Sequence, residues 1–299
     1  MKVNDILKED NLKEKYEFIF NTQFFQQNYK PLIEKYLKGL STTDTSSKEY
    51  DNKLGKLLDE LNQNNLFHGR EKVYNNPVIN EFKYRRSPKD TQPFIHNYVN
   101  SIAKDEIGEP VRSLLFSYKN KHRVLEYGEP YYIIPVGNTT YYYNPYIRDF
   151  AAQYSISDVI DVEHIINEIR QTMLKSNKNI NSDFFKNEFL LTLRGDIYKL
   201  IDYINRYSLE EKKIKTVIKK HITNDEDIID IIYSSFMFVI NDYLKMFNEY
   251  IENIEITDDI SNIPRDKEIM IKTEQFVLIP QFRIDKIINY YWKVYILNE

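Results

Sequence analysis

The sequence predicts an α+β protein in which a strand-rich module is interrupted by a block of helices, and three textures along the chain carry that reading. Residues 66–149 hold short apolar runs punctuated by glycine and proline, with four of the seven glycines (Gly69, Gly108, Gly128, Gly137), as strands joined by tight connections require. Residues 155–253 change to long segments with apolar residues at i, i+3 and i+4, the period of amphipathic helices. Alternation returns in KEIMIKTEQFVLIPQ (267–281), so the last strands come from near the carboxyl end.

Taken in order, residues 1–62 read as a helical cap or arm. Tyr16, Phe18, Ile19 and Phe20, then Leu32, Ile33, Tyr36 and Leu37, recur at helical spacing, and the polar stretch STTDTSSKEYDN separates them from Leu54–Leu61. The strand candidates are NLFHG (65–69), RSLLFSY (112–118), PYYIIPVG (130–137) and TTYYYNP (139–145). Between the first two, Asp90 or Thr91 suits the N-cap of a helix that tolerates Pro93 in its first turn and closes at Gly108. Three helical segments follow, beginning near Ser157, Ser182 and Asp225. The expected organisation is therefore a cap over 1–62, an α+β module from 63–150 and 262–299, and a helical insertion over 151–261.

Composition narrows the function. A chain of 299 residues that is 42% hydrophobic can bury a substantial core. Its 41 Lys+Arg nearly cancel 45 Asp+Glu, which argues against nucleic acid as the main partner. There is no cysteine, which removes disulfides, thiolate catalysis and Cys-ligated zinc, and fits a cytoplasmic setting. The amino terminus has no apolar signal core, and the best apolar run, IIDIIYSSFMFVI (228–240), contains Asp230 and is too short to span a bilayer, so it reads as a buried helix. His164 and Glu168, at i and i+4, lack a third ligand for a metal and read as a solvated face. The acids of NDEDIID (224–230) suit a helix start. No phosphate loop, GxGxxG or Ser-His-Asp order is present.

The strand segments carry a further pattern. LFHG, then RSLLFSYKNKHRVLEYGEPYYIIPVG, then EIMIKTEQFVLI resemble the three successive motifs of an ADP-ribosyltransferase domain, most of all those of uncharacterised phage proteins of that type. The run comprises Arg85, Pro88, Asp90, Thr91, Ile95, His96, Gly108, Arg112, Ser113, Phe116, Tyr127, Gly128, Pro135, Gly137 and Glu268-Ile269-Met270. The resemblance implies a split mixed or antiparallel sheet and an NAD-dependent mono-ADP-ribosyltransferase. NAD would be the co-substrate, no metal would be needed, and a macromolecule, most simply a host protein, would be the acceptor.

It also implies roles. His68 would hold the adenosine ribose, and the Gly69 backbone would pair with the nicotinamide carboxamide, a close approach that a side chain would block. Phe116 and Tyr127, eleven residues apart, match a strand aromatic and the tyrosine that stacks on nicotinamide. Phe116 stands where the family has tyrosine and Val124 where it has serine, while the phage relatives more often carry arginine at His68. Glu268 would accept from the ribose 2′-hydroxyl and support the developing cation, and Asp266 takes the place of the Glu or Gln of arginine-directed members. Arg112 and Ser113 would belong to the NAD site. By their chemistry alone, Arg85 and Arg86 with Lys83 could grip the NAD pyrophosphate, a task that suits arginine. Each residue also has a plain structural reading: a hydrogen-bonded His68, core aromatics at 116 and 127, an edge-strand charge at Glu268 and a solvated Arg85. The alternative function is a non-catalytic, virion-associated binding protein that keeps the fold and meets its partner through the helices.

Overall fold

The computed structural model describes residues 3–41, 47–85, 93–153, 162–175, 193, 195–197, 199–201 and 210–297. The chain forms two compact units. Met1–Tyr84, Leu114–Arg148 and Ile254–Glu299 make the first; Arg85–Ser113 and Asp149–Asn253 make the second. This division departs from the expected one at three places. The amino-terminal arm shares the first unit with the sheet, the helix Pro93–Ile107 goes with the helical block, and the return to the sheet begins at Glu255 instead of near 262.

The first unit holds eight strands in one sheet: β1 (Phe67–Arg70), β2 (Val78–Glu81), β3 (Leu115–Tyr118), β4 (Glu129–Val136), β5 (Thr140–Tyr143), β6 (Glu255–Thr257), β7 (Glu268–Lys272) and β8 (Gln275–Pro280). Their order is β2-β8-β4-β1-β3-β7-β5-β6, and neighbouring strands pair antiparallel throughout, so the sheet is not mixed. β4, EPYYIIPV, is buried along nearly its whole length; an unbroken aromatic and β-branched run suits a central strand covered on both faces. Gly137, with φ 81°, supplies the left-handed backbone that turns β4 toward β5.

The terminal segments close over the core. Thr22 and Ser47 cap the helices Gln23–Asn28 and Lys48–Asn64, each hydroxyl accepting a backbone N–H three residues on, which satisfies donors a helix start leaves open. The helix Ile284–Tyr291 buries Ile284, Ile287, Ile288 and Tyr291 on one stripe. Trp292 is fully buried, and its indole N–H donates to the Leu37 carbonyl at 3.0 Å. Each such large side chain contributes about 1.5–3 kcal/mol by leaving water, so the helices Gln23–Asn28, Lys48–Asn64 and Ile284–Tyr291 are integral to this core.

In the second unit, the helix Pro93–Ile107 ends before Gly108, whose φ of 77° makes it a left-handed C-terminal cap. The expected caps at Asp90 and Thr91 lie outside the described residues, as does most of the helix expected from Ser182. Asp225 caps the helix Glu226–Glu252 by accepting from the N–H groups of Asp227 and Ile228. That helix contains the apolar run read as buried, but it is amphipathic. Ile229, Ile232, Phe236 and Ile240 face inward, whereas Phe238 is 56% exposed. Among the described residues, no helix is long and apolar enough to cross a membrane.

Candidate functional site

The strands that carry the three motifs lie side by side, in the order β4, β1, β3, β7. β1 pairs with β4 along all four of its residues, matching Phe67 to Tyr132, His68 to Tyr131, Gly69 to Pro130 and Arg70 to Glu129. With β3 it shares one partner pair, Phe67 with Tyr118. Beyond Phe67 the two central strands part, and a fork opens in the middle of the sheet.

Which backbone groups face the fork follows from the ladder. In an antiparallel pair, bonded and non-bonded partner pairs alternate. The Ile133 N–H donates to the Leu66 carbonyl at 2.9 Å, so Leu66/Ile133 and His68/Tyr131 are the bonded pairs, and Gly69/Pro130 is not. Pro130, having no N–H, could not complete a bonded pair in any case. The N–H and C=O of Gly69 therefore leave β1 on the edge facing away from β4, toward the fork.

At the fork the backbone ladder gives way to a side chain. His68 Nδ1 lies 2.8 Å from the Phe116 carbonyl. A carbonyl only accepts, so Nδ1 carries the proton, and in the neutral ring Nε2 becomes the acceptor nitrogen. The short turn of residues 121–127 then closes on β1. A Cβ built on Gly69 would sit 2.3 Å from the Val124 carbonyl oxygen and 2.8 Å from Tyr127 Cβ, and one on Gly128 would sit 2.4 Å from the Arg70 backbone. Two glycines thus allow the turn and the strand to pack backbone to backbone. Gly69 is required first because Tyr127 rests on it.

The Tyr127 ring lies parallel to that of Tyr118, with centroids 6.4 Å apart and planes 13° apart. Tyr118 is the partner of Glu268 across β3 and β7, and Phe116 the partner of Met270. Cross-strand partners share a face, as do residues two apart on a strand. Phe116, Tyr118, Glu268 and Met270 therefore line one face. Glu268 is buried at the start of β7, where its N–H donates to the Arg148 carbonyl at 2.9 Å. A continuous path links the motifs: Gly69 under Tyr127, Tyr127 on Tyr118, and Tyr118 level with Glu268.

Tyr118 had no part in the sequence reading. Its signal was the alternation in LLFSY, which places it on the same face as Phe116. Next to it, Lys119 is buried, its ammonium donates to the Ile263 carbonyl at 2.6 Å, and burial pushes its pKa down. Asp266 is held by Arg148 at 3.0 Å across a solvent-exposed pair.

Arg85, Arg112 and Ser113 belong to the second unit. Arg112 is fully buried, with its guanidinium 4.3 Å from the centre of the Phe150 ring, so it offers no surface to a ligand. Its N–H donates to Asn100 Oδ1 at 2.7 Å, while Asn100 Nδ2 donates to Ser113 Oγ at 3.0 Å and lies 3.1 Å from His96 Nε2. The Arg85 N–H donates to the Ser113 carbonyl at 2.8 Å. These contacts fix the 111–113 turn against the helix Pro93–Ile107, a structural task for residues expected to touch NAD. Among the described residues, no group of three or more His, Cys, Asp or Glu is placed to hold a metal ion. No protein-family model, curated protein or solved structure matches the chain.

Proposed function

We propose that the protein is an NAD-dependent mono-ADP-ribosyltransferase with its site at the β1–β3 fork. The observation that carries the reading is the orientation of Gly69, whose N–H and C=O both face the fork directly beneath Tyr127. A primary carboxamide needs one donor and one acceptor side by side, and a strand backbone offers that pair. The parallel tyrosines suit a flat ring. Tyr127, partly exposed and parallel to Tyr118 with centroids 6.4 Å apart, offers the flat face on which the nicotinamide ring stacks in this reading.

In the proposed reaction the bond between nicotinamide and ribose C1′ breaks, nicotinamide leaves with the bonding pair, and an acceptor nucleophile bonds to C1′ while losing its proton. Glu268 supports the cationic ribose, and removing one such preorganised group typically costs about 10²–10³ in rate. The acceptor is proposed to be a protein, and the resemblance to phage proteins suggests one of a bacterial host. A second reading, a virion-associated binding protein without turnover, draws on one observation: Phe116 puts a phenyl ring on the Glu268 face where the resemblance expects a hydroxyl.

The test is incubation with labelled NAD and bacterial lysate, beside a Glu268→Gln variant. Label on a protein band with the wild type and none with the variant is the expected result. Nicotinamide release without a labelled acceptor would make the protein an NAD hydrolase. If NAD is neither bound nor consumed, the enzyme reading is wrong and the binding protein remains.

A further inference from the structure

Besides the Tyr29 hydroxyl, the first unit contains, away from the fork, three buried oxygens with no hydrogen-bond partner among the described residues: the Tyr50 hydroxyl, Asp285 Oδ1 and Asn289 Oδ1. Leaving such groups unsatisfied in a core is costly, and natural structures rarely do so. The three come together through the helices. Asp285, Asn289 and Trp292 follow i, i+4, i+7 spacing and share one stripe of the carboxyl-terminal helix. The Tyr50 ring packs on that stripe, 5.2 Å from the Trp292 ring. Tyr50 is itself only 4% exposed. Burial, and next the nearby negative charge of Asp285, push its pKa up. Burial raises the pKa of Tyr16, Arg283 lowers it, and Asp285 and Tyr290 raise it, so Tyr16, Arg283 and Tyr290, with Asp51 beside Tyr50, are titratable groups around the stripe.

We infer that one ordered water joins Tyr50, Asp285 and Asn289, bridging the helix Lys48–Asn64 to the helix Ile284–Tyr291. The hydrogen-bond count supports water over other occupants. A water donates twice and accepts as well, so it can donate to the two side-chain oxygens of the carboxyl-terminal helix and accept the tyrosine proton. Buried waters typically make about three such bonds. The bridge links the amino-terminal arm to the end of the chain at a point where neither side chain reaches the other.

A crystal structure of the full chain, at a resolution that orders solvent, tests this. The expected result is a single peak about 2.7–3.2 Å from all three oxygens. In a Tyr50→Phe crystal, the peak should lose order relative to neighbouring waters. Absence of a peak, direct contact between Tyr50 and Asp285, or a peak at the shorter distances and higher coordination of a bound cation would overturn the inference. So would an equally ordered peak in Tyr50→Phe.

Discussion

At the scale of single residues, Gly69 has two duties that separate in experiment. Its missing side chain lets the Val124–Tyr127 turn close on β1, and its backbone faces the fork. Gly69→Ala places a methyl group 2.3 Å from a carbonyl oxygen, and overpacking of this kind costs about 1–3 kcal/mol. The expected outcome is a lower urea midpoint with an unchanged slope. Gly69 is therefore a poor position for testing ligand contact, and Glu268→Gln, which keeps size and shape, is a better one. It should leave the urea midpoint close to that of the wild type while cutting transfer by about a hundredfold or more. His68, Gly69 and Glu268 were picked out by the resemblance of their strands to ADP-ribosyltransferase motifs, and Gly69 also by the scarcity of glycine in this chain. Tyr127 came from the same resemblance, through its eleven-residue distance from Phe116. Tyr118 was missed because a tyrosine in an apolar strand looks like core, and only the register with Glu268 and the stack on Tyr127 reveal its position.

At the scale of elements, the fork is the feature from which the site follows. β1 keeps its full ladder with β4 and a single pair with β3, so its amides should behave unequally. The His68 N–H belongs to a ladder pair, whereas the Gly69 N–H points into the fork. Hydrogen exchange should find Gly69 exchanging faster than His68 in the free protein, and slower once NAD is added. Equal protection of the two in the free protein would mean that the fork is closed. Most strands were legible because alternation and punctuating glycines marked them. β2 and β6 were not: VINE and EIT are short edge strands, partly exposed, that owe their conformation to β8 and β5 and carry little pattern of their own. The fork was equally invisible, since it depends on which strands end early against which neighbours, and that is a tertiary fact.

At the scale of the whole molecule, the two units explain both the success and the failure of the sequence reading. Texture correctly separated strand-rich from helical segments. It could not tell that the helix Pro93–Ile107 packs with the helical unit, or that Arg112 would be sealed under Phe150, because local pattern does not record long-range partners. The tyrosine-rich core of the first unit also sets a pH dependence. Burial pushes the hydroxyls of Tyr29, Tyr132 and Tyr141 above their ordinary pKa near 10. In the unfolded chain these groups ionise near 10, while the folded state holds their protons, so their contribution is full below that pH and is lost as pH rises toward the folded values. Thermal melts should show a midpoint that falls steeply above about pH 10, with tyrosinate absorbance appearing together with unfolding.

The central claim, that the β1–β3 fork binds NAD and breaks its nicotinamide bond, is tested most directly by nicotinamide release from NAD by the purified protein beside Tyr127→Ala and Glu268→Gln. The account predicts release by the wild type. It predicts weakened NAD binding in Tyr127→Ala, and retained binding with turnover reduced by about a hundredfold or more in Glu268→Gln. Release that is equal in all three proteins, or no NAD binding by the wild type, would contradict it.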